Sequence, residues 1–439
     1  MALVRARTWW DSLTSTLWFL PALMTGASIG LAAGVVALDR TEGVDARWFF
    51  LYSGGPEGAR SVLSTTAGSM ITVAGVAFSA TMVALSFASS QLGPRLLRNF
   101  MKDRGNQVVL GTFIATFVYC LLVLRTVSET GETFVPHFGV TIGLVLALAS
   151  LVVLIYFIHH VARTLQADYI IGVVASELDR AIEHMYPSGM GEAAPQERIP
   201  EMREREHELR SQQPAEVCLT ASDYVHALDV DLLMKLATKH DLVIRILSRP
   251  GRYAHDGIPV AEVWPAARAD DAIQKKVRSA FMIGRIRTSQ QDVEFAINQL
   301  VEVATRALSP GINDPFTAIT CIDRLTTALL HLMRREFPPR FRVDAGGSLR
   351  VIADRPDFAG VTDAAFHQIR QSGANMPAVA IRLLESLSLL LEHAATDQHR
   401  RALEHHLQLV RRAGLRQSAE RSDREDMEAR VEDARTTAP

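Results

Sequence analysis

The sequence predicts a membrane protein: a four-helix α-helical transmembrane part, followed by a cytoplasmic α+β part in which a small β-module precedes a helical domain. Three observations lead there. Most of the long apolar runs lie before residue 162 and are long enough to cross a hydrocarbon core of ~30 Å. Lys and Arg crowd alternate connections between those runs. Beyond residue 162 the pattern changes to ordinary amphipathic periods and carries most of the charge. The expected organisation is a transmembrane domain over 1–165, a juxtamembrane helix and charged linker over 166–214, the β-module over 215–268, the helical domain over 269–414, and a disordered charged tail over 415–439.

The first span, about 18–38, is uncharged from Trp18 to Leu38, too long for a signal-peptide core, and is expected to stay as an anchor. It carries Gly26, Gly30 and Gly34, a spacing that bares one helix face and predicts close helix packing, within the chain or between copies. The second span, about 61–93, places Thr65, Thr72, Ser79 and Ser86 seven residues apart, flanked by Gly68, Ser69 and Gly75. One face is therefore small or hydroxylated, which predicts either a pore wall or tight packing with the hydroxyls bonded one turn back. As a helix this run would reach about 50 Å at 1.5 Å per residue, so it must tilt, break or project from the bilayer. The third and fourth spans are expected at about 108–127 and 138–160.

Arg5 and Arg7 precede the first span, Arg95, Arg98, Lys102 and Arg104 lie in the second connection, and Arg163 follows the fourth span, whereas the third connection holds Glu129 and Glu132. Both termini are therefore expected in the cytoplasm. Leu96, Leu97, Phe100 and Met101 alternate with the basic residues of the second connection and predict an interfacial helix. No Asp, Glu, Lys or Arg lies deep inside a span, which argues against a proton pump or ion-coupled carrier.

In the second part, apolar residues from Val161 to Ile182 predict a helix continuing inward from the fourth span, and Glu197 to Gln213 reads as a solvated linker or an exposed helix. Val243 to Leu247 and Ile258 to Val263 read as strands. Ala272 to Ile286 reads as a helix, and Ser289 as the cap of the next, with Asp292 in a capping-box position. Apolar stripes at Val293, Ile297, Leu300, Ala304 and Leu308, and at Phe316, Ile319, Ile322, Leu325, Leu329 and Met333, predict a helical hairpin. Its turn, Ser309 to Pro315, contains helix breakers, a capping Asp314 and a proline at the next helix's first position. A short strand pair is expected over Val343 to Ile352, and helices over Thr362 to Gln371, Pro377 to His393 and Asp397 to Arg412.

Arg287, Asp292, Arg306, Asn313, Asp314 and Asp323 are candidates for a ligand or interface site if the turn folds back on the hairpin's entrance, the alternative being caps and salt bridges. No catalytic residue, cofactor or metal is expected. No nucleophile–base pair, P-loop or dinucleotide fingerprint occurs, and His393, His399, His405 and His406 include no pair at i, i+4. The three cysteines, Cys120, Cys218 and Cys321, form no ligand cluster and predict free thiols in a reducing compartment. The net charge of -2, with no basic stripe interleaved with aromatics, argues against nucleic acid as a partner.

Two resemblances sharpen these expectations. Pro250 to Val260, with Gly251, Gly257 and Pro259, resembles the hairpin of lipoyl-like and barrel-sandwich-hybrid domains, which implies a barrel-sandwich-hybrid-like β-module. Lys235 falls in a helix-like stretch rather than on a second hairpin, so a structural or docking module is expected rather than a swinging arm. Ala67 to Val73, Gln91 to Arg95, Arg285 to Thr288, Gln291 to Ile297, Arg306 to Asp314 and Cys321 to Leu325 resemble the bacterial membrane proteins grouped as domain of unknown function 2254. That resemblance covers almost the whole chain and implies a multi-pass protein of the bacterial inner membrane, with no activity to carry over. The expected function is an oligomeric channel or conduit in the lipid bilayer, a homo-oligomer whose cytoplasmic part assembles or gates it. The alternative is a membrane-tethered sensor or scaffold that binds a protein or small ligand. An enzyme is not expected.

Overall fold

The computed structural model describes residue 16 and residues 18–41, 51–93, 103–128, 134–185, 198–287, 291–337, 339–354 and 357–437. The interfacial helix expected over 95–104 and the capping Ser289 fall almost wholly or wholly outside these residues. The chain divides into two compact units, Met1–Tyr169 and Ile170–Pro439.

The first unit contains four candidate membrane-spanning helices: α1 (Phe19–Thr41), α2 (Pro56–Leu92), α3 (Arg104–Leu124) and α4 (His137–Thr164). Each is long and apolar enough to cross a bilayer. Helix α3 is central: half of its apolar window is buried, against 22–28% in the other three. One layer of the core joins Ala32 of α1, Ala59, Leu63 and Ala67 of α2, Tyr119, Cys120 and Val123 of α3, and Val140 of α4. A second layer joins Ala74 and Ala77 to Val109, Leu110, Phe113 and Phe157. Alanines and glycines at these contacts let the backbones approach closely, which matters where lipid tails compete equally for apolar surface. Helix α2 runs unbroken for 37 residues, so of the three ways to accommodate its length a break is not used.

The expected continuous helix from the fourth span is interrupted: α4 ends at Thr164 and α5 (Ala167–Met185) begins after Leu165 and Gln166. Helix α5 buries Ile170, Ile171, Val174, Leu178 and Ile182, whereas Tyr169 is exposed.

In the second unit, α6 (Ile199–Arg210) is followed by β1 (Ala215–Cys218), β2 (Asp223–Leu228), α7 (Val230–His240), β3 (Val243–Ile246), β4 (Tyr253–Ala254), β5 (Pro259–Trp264), α8 (Asp271–Ser279) and β6 (Phe281–Gly284). The chain continues through α9 (Val293–Ala307), α10 (Pro315–Met333), β7 (Phe341–Val343), β8 (Leu349–Ala353), α11 (Phe358–Gly373), α12 (Pro377–Glu392), α13 (Asp397–Gln417) and α14 (Arg421–Thr437). Five strands form a mixed sheet in the order β1-β5-β3-β8-β7, with β3 and β8 parallel and the other pairs antiparallel. A second, antiparallel sheet has the order β4-β2-β6.

Alternation along β3 and β8 separates two apolar layers. Ile244, Ile246 and Val351 join Leu233 and Leu236 of α7 and Ile273 and Val277 of α8. Val243 and Ile352 instead meet Ile199 and Met202 of α6. The stretch read as a solvated linker or an exposed helix is largely a helix, but one that covers a sheet face, with Met202, Glu206 and Leu209 buried. The expected helix over 272–286 stops at Ser279 because Phe281–Gly284 extends as β6 and pairs with β2. The barrel-sandwich arrangement is not shown: the two arms of the Pro250–Val260 segment separate, β4 joining the three-stranded sheet and β5 the five-stranded one.

Helices α9 to α14 pack as a bundle, and the two stripes of the predicted hairpin are largely buried, with Phe316 the exception at 78% exposure. The tail expected to be disordered forms α14, which buries Met427 and Val431 and packs on α12 and α13.

Candidate functional sites

In the first unit, α2 turns Ala59, Leu63, Ala67, Ala74, Ala77, Thr81 and Ala84 inward. Thr65, Thr72, Ser79 and Ser86 lie on the opposite, exposed face. From Thr65 to Ser86 the stripe covers about 32 Å at 1.5 Å per residue, close to the ~30 Å hydrocarbon core. Val76 and Val83 share that face and are 65% and 67% exposed. The Thr72 hydroxyl donates to the Gly68 carbonyl at 2.8 Å, the local bond that lets a hydroxyl stand on a membrane helix. Gly26, Gly30 and Gly34 are also exposed, and no atom of the described residues lies within 4 Å of where a side chain would begin at any of them.

The bundle ends are tied by polar contacts. Asp39 of α1 accepts the backbone N–H groups of Phe138 and Gly139, both at 3.0 Å, so its carboxylate sits at the electropositive start of α4. Asp103 caps α3 by accepting from the Gly105 N–H at 2.9 Å and meets His160 Nε2 at 2.5 Å. Asn106 and Gln107 are buried within α3, just before the point where the apolar run marks the span's start. Two polar side chains preceding a long apolar run were the available signal for an inward-facing helix end.

In the second unit the structure brings Arg287 and Asp292 together. The guanidinium donates to both carboxylate oxygens, Nε to Oδ2 at 2.5 Å and Nη2 to Oδ1 at 3.0 Å. Asp292 is itself the cap of α9, accepting the Phe295 N–H at 3.1 Å, so it stands one role earlier than the capping-box position the sequence suggests. Glu294 takes Arg249 at 2.8 Å, and Gln291 accepts the Leu228 N–H at 3.0 Å, anchoring the start of α9 to β2. Burial pushes the Asp292 carboxyl above the usual carboxylate range, against the opposing pull of Arg287.

The other candidates do not join this pair. Asp314 caps α10, accepting from the Thr317 N–H at 3.1 Å and the Thr317 hydroxyl at 2.6 Å. Asn313 is exposed in the left-handed conformation with φ 53°, which suits asparagine at a tight turn. Asp323 accepts from Arg382 of α12 at 2.6 Å. The half-buried Arg306 lies in the last turn of α9, where a cation complements the helix dipole.

A cluster that the sequence reading passed over lies on the bundle. Asp363 and His367, four residues apart on α11, meet His406 of α13. His406 Nε2 is 2.8 Å and His367 Nε2 3.1 Å from the same oxygen, Asp363 Oδ1. The Asp363–His367 spacing was legible as an i, i+4 pair, but the facing His406 belongs to another helix.

A family model described as "Predicted membrane protein (DUF2254)" matches residues 14–388. Similar over nearly the whole chain are the Uncharacterized protein Rv1290c of Mycobacterium tuberculosis and the Uncharacterized protein Mb1321c of Mycobacterium bovis. Each is 34% identical over 425 residues, covering 94% of this chain and 79% of the relative. No solved structure matches.

Proposed function

Because the chain belongs to the DUF2254 family of predicted membrane proteins, we propose that it acts in the bilayer as a homo-oligomer, in which copies of α2 surround a conduit and the second unit assembles or gates it. The observation that carries this reading is the position of the hydroxyl stripe, on the outer face of a protomer whose alanine face is already occupied. A seven-residue repeat of small residues favours left-handed crossing of like helices, because an α-helix drifts only ~20° per heptad from that period. The bare glycine face of α1 offers a second surface for close helix approach. Val76 and Val83 beside the stripe would alternate apolar and hydroxylated rows along such a contact. Lipid on the outer face of α4, where Leu148, Val152 and Ile155 are 64–67% exposed, would complete the assembly.

The test is purified protein in planar bilayers. Conductance is expected, and Ser79→Leu is expected to reduce it. Silence across ionic conditions, together with a folded monomer in mild detergent, would overturn the reading.

A tethered sensor or scaffold is the second reading, supported by the compactness of Ile170–Pro439 as a unit with its own core. It predicts a stable fragment 170–439 that captures a specific partner without the membrane; a fragment that folds but binds nothing would count against it.

A further inference from the structure

We propose that Asp363, His367 and His406 form a binding site for a divalent first-row transition-metal ion, bracing α11 against α13. The inference goes beyond the conduit reading and does not depend on it.

Asp363 and His367 share one face of α11 because residues four apart on a helix are neighbours, and α13 supplies His406 from the opposing surface. One donor atom from each side chain lies within 4.8 Å of the other two. An ion bound tetrahedrally at 2.0–2.2 Å by nitrogen and oxygen requires donors roughly 3.3 Å apart. The two closest pairs, at 2.8 Å and 3.1 Å, already stand near that separation.

Hydrogen bonding alone leaves the cluster incomplete. The His406 side chain is 1% exposed and its Nδ1 has no hydrogen-bond partner among the described residues, and the Nδ1 of His367 is likewise buried without one among them. A single carboxylate oxygen, Asp363 Oδ1, meets both rings. An ion held by the two Nε2 atoms and Asp363 would take the place of this shared acceptor, so the proposal rests on the converging donors and not on the unpartnered Nδ1 atoms.

Access is one-sided. The side chains of Asp363 and His367 are 49% and 36% exposed while His406 is buried, so an ion enters from solvent and water completes its shell. Two imidazoles with one carboxylate suit zinc, iron, nickel or copper, not magnesium or calcium, which take oxygen donors.

The test uses the full-length chain in detergent, purified without a histidine tag and stripped with a chelator. Zinc titrated by calorimetry is expected to bind at one ion per chain and to raise the melting temperature. His367→Ala should weaken binding by more than about a hundredfold, since losing a ligand exceeds the ~10–100-fold effect of losing an outer-shell partner. Asp363→Asn, which keeps an acceptor for the imidazoles but removes the charge, should also abolish the zinc-dependent rise while leaving the metal-free melting temperature nearly unchanged. His393→Ala, at an exposed histidine outside the cluster, should bind as the wild type does. Absence of a stoichiometric zinc site in the wild type, or equal binding by His367→Ala, would overturn the proposal.

Discussion

Asp314 serves its own helix: it binds both the backbone and the hydroxyl of Thr317, while the Arg287 guanidinium is engaged by Asp292. Asp314→Ser should therefore retain most stability, while Asp314→Ala should cost about 1 kcal/mol by thermal or denaturant unfolding. Asp292 differs because its carboxyl is buried and raised. In the folded chain it holds its proton at higher pH than in the unfolded chain, so its contribution favours folding below the unfolded value and is lost as pH rises through the folded one. Asp344 has the opposite sign: the Arg350 hydrogen bond lowers its carboxyl, and its contribution is lost as pH falls through the folded value. Acidification from neutrality should thus raise the stability of wild type relative to Asp292→Asn, and lower it relative to Asp344→Asn. Unfolding curves at several pH values check both directions. Gly251 belongs to the same locality: at φ 86°, a side chain there would be strained and would collide with the Asp292 carboxylate.

At the scale of the element, α14 shows how much a polar composition can conceal. Only a few apolar residues interrupt its charges, yet Met427 and Val431 are 0% and 2% exposed. Met427→Ala should cost about 2–5 kcal/mol, read from unfolding of the second unit. A chain ending at residue 417 should lose protease resistance in the bundle for the same reason. Helix α6 makes a comparable point with a charge. Glu206 is buried on the sheet, held by Arg210 at 2.8 Å and Arg340 at 2.9 Å, so a run dense in charge still has an inward face. On α1 the opposite expectation holds. At Gly30 an added Cβ meets no atom of the described residues, so the Gly30→Leu protomer should fold normally and only its association, measured by light scattering in detergent, should weaken.

For the whole molecule, the division at residue 169 separates a lipid-facing bundle from a mixed α+β unit with two sheets and a helical bundle. The proposed assembly makes a prediction at this scale. Cysteines introduced at Thr65, Thr72, Ser79 and Ser86 should react with water-soluble thiol reagents in the native membrane, whereas cysteines at Val145 or Val152 should not. Val145 and Val152 are 58% and 67% exposed on α4 and are expected to meet lipid. Equal protection at all six positions would favour lipid or helix packing over a wet wall.

The sequence by itself determined what depends on near neighbours along the chain. Four apolar runs are long enough to span a bilayer, and Asp314 with Pro315 starts a helix wherever that segment lies. The two strands around Gly257 and the strand pair around Gly347 were legible from period and turn residues, to within a few positions. Only the tertiary structure decided which faces meet. It set β3 beside β8 across more than a hundred intervening residues, sent the two arms of the glycine hairpin into different sheets, and brought His406 to Asp363. Helix periods and caps arise from hydrogen bonds and sterics within a few residues, so their signals are written locally. Burial of Met427, Glu206 or His406 depends on desolvation against a partner surface far away in sequence, and a charged or polar stretch carries no local mark of that partner.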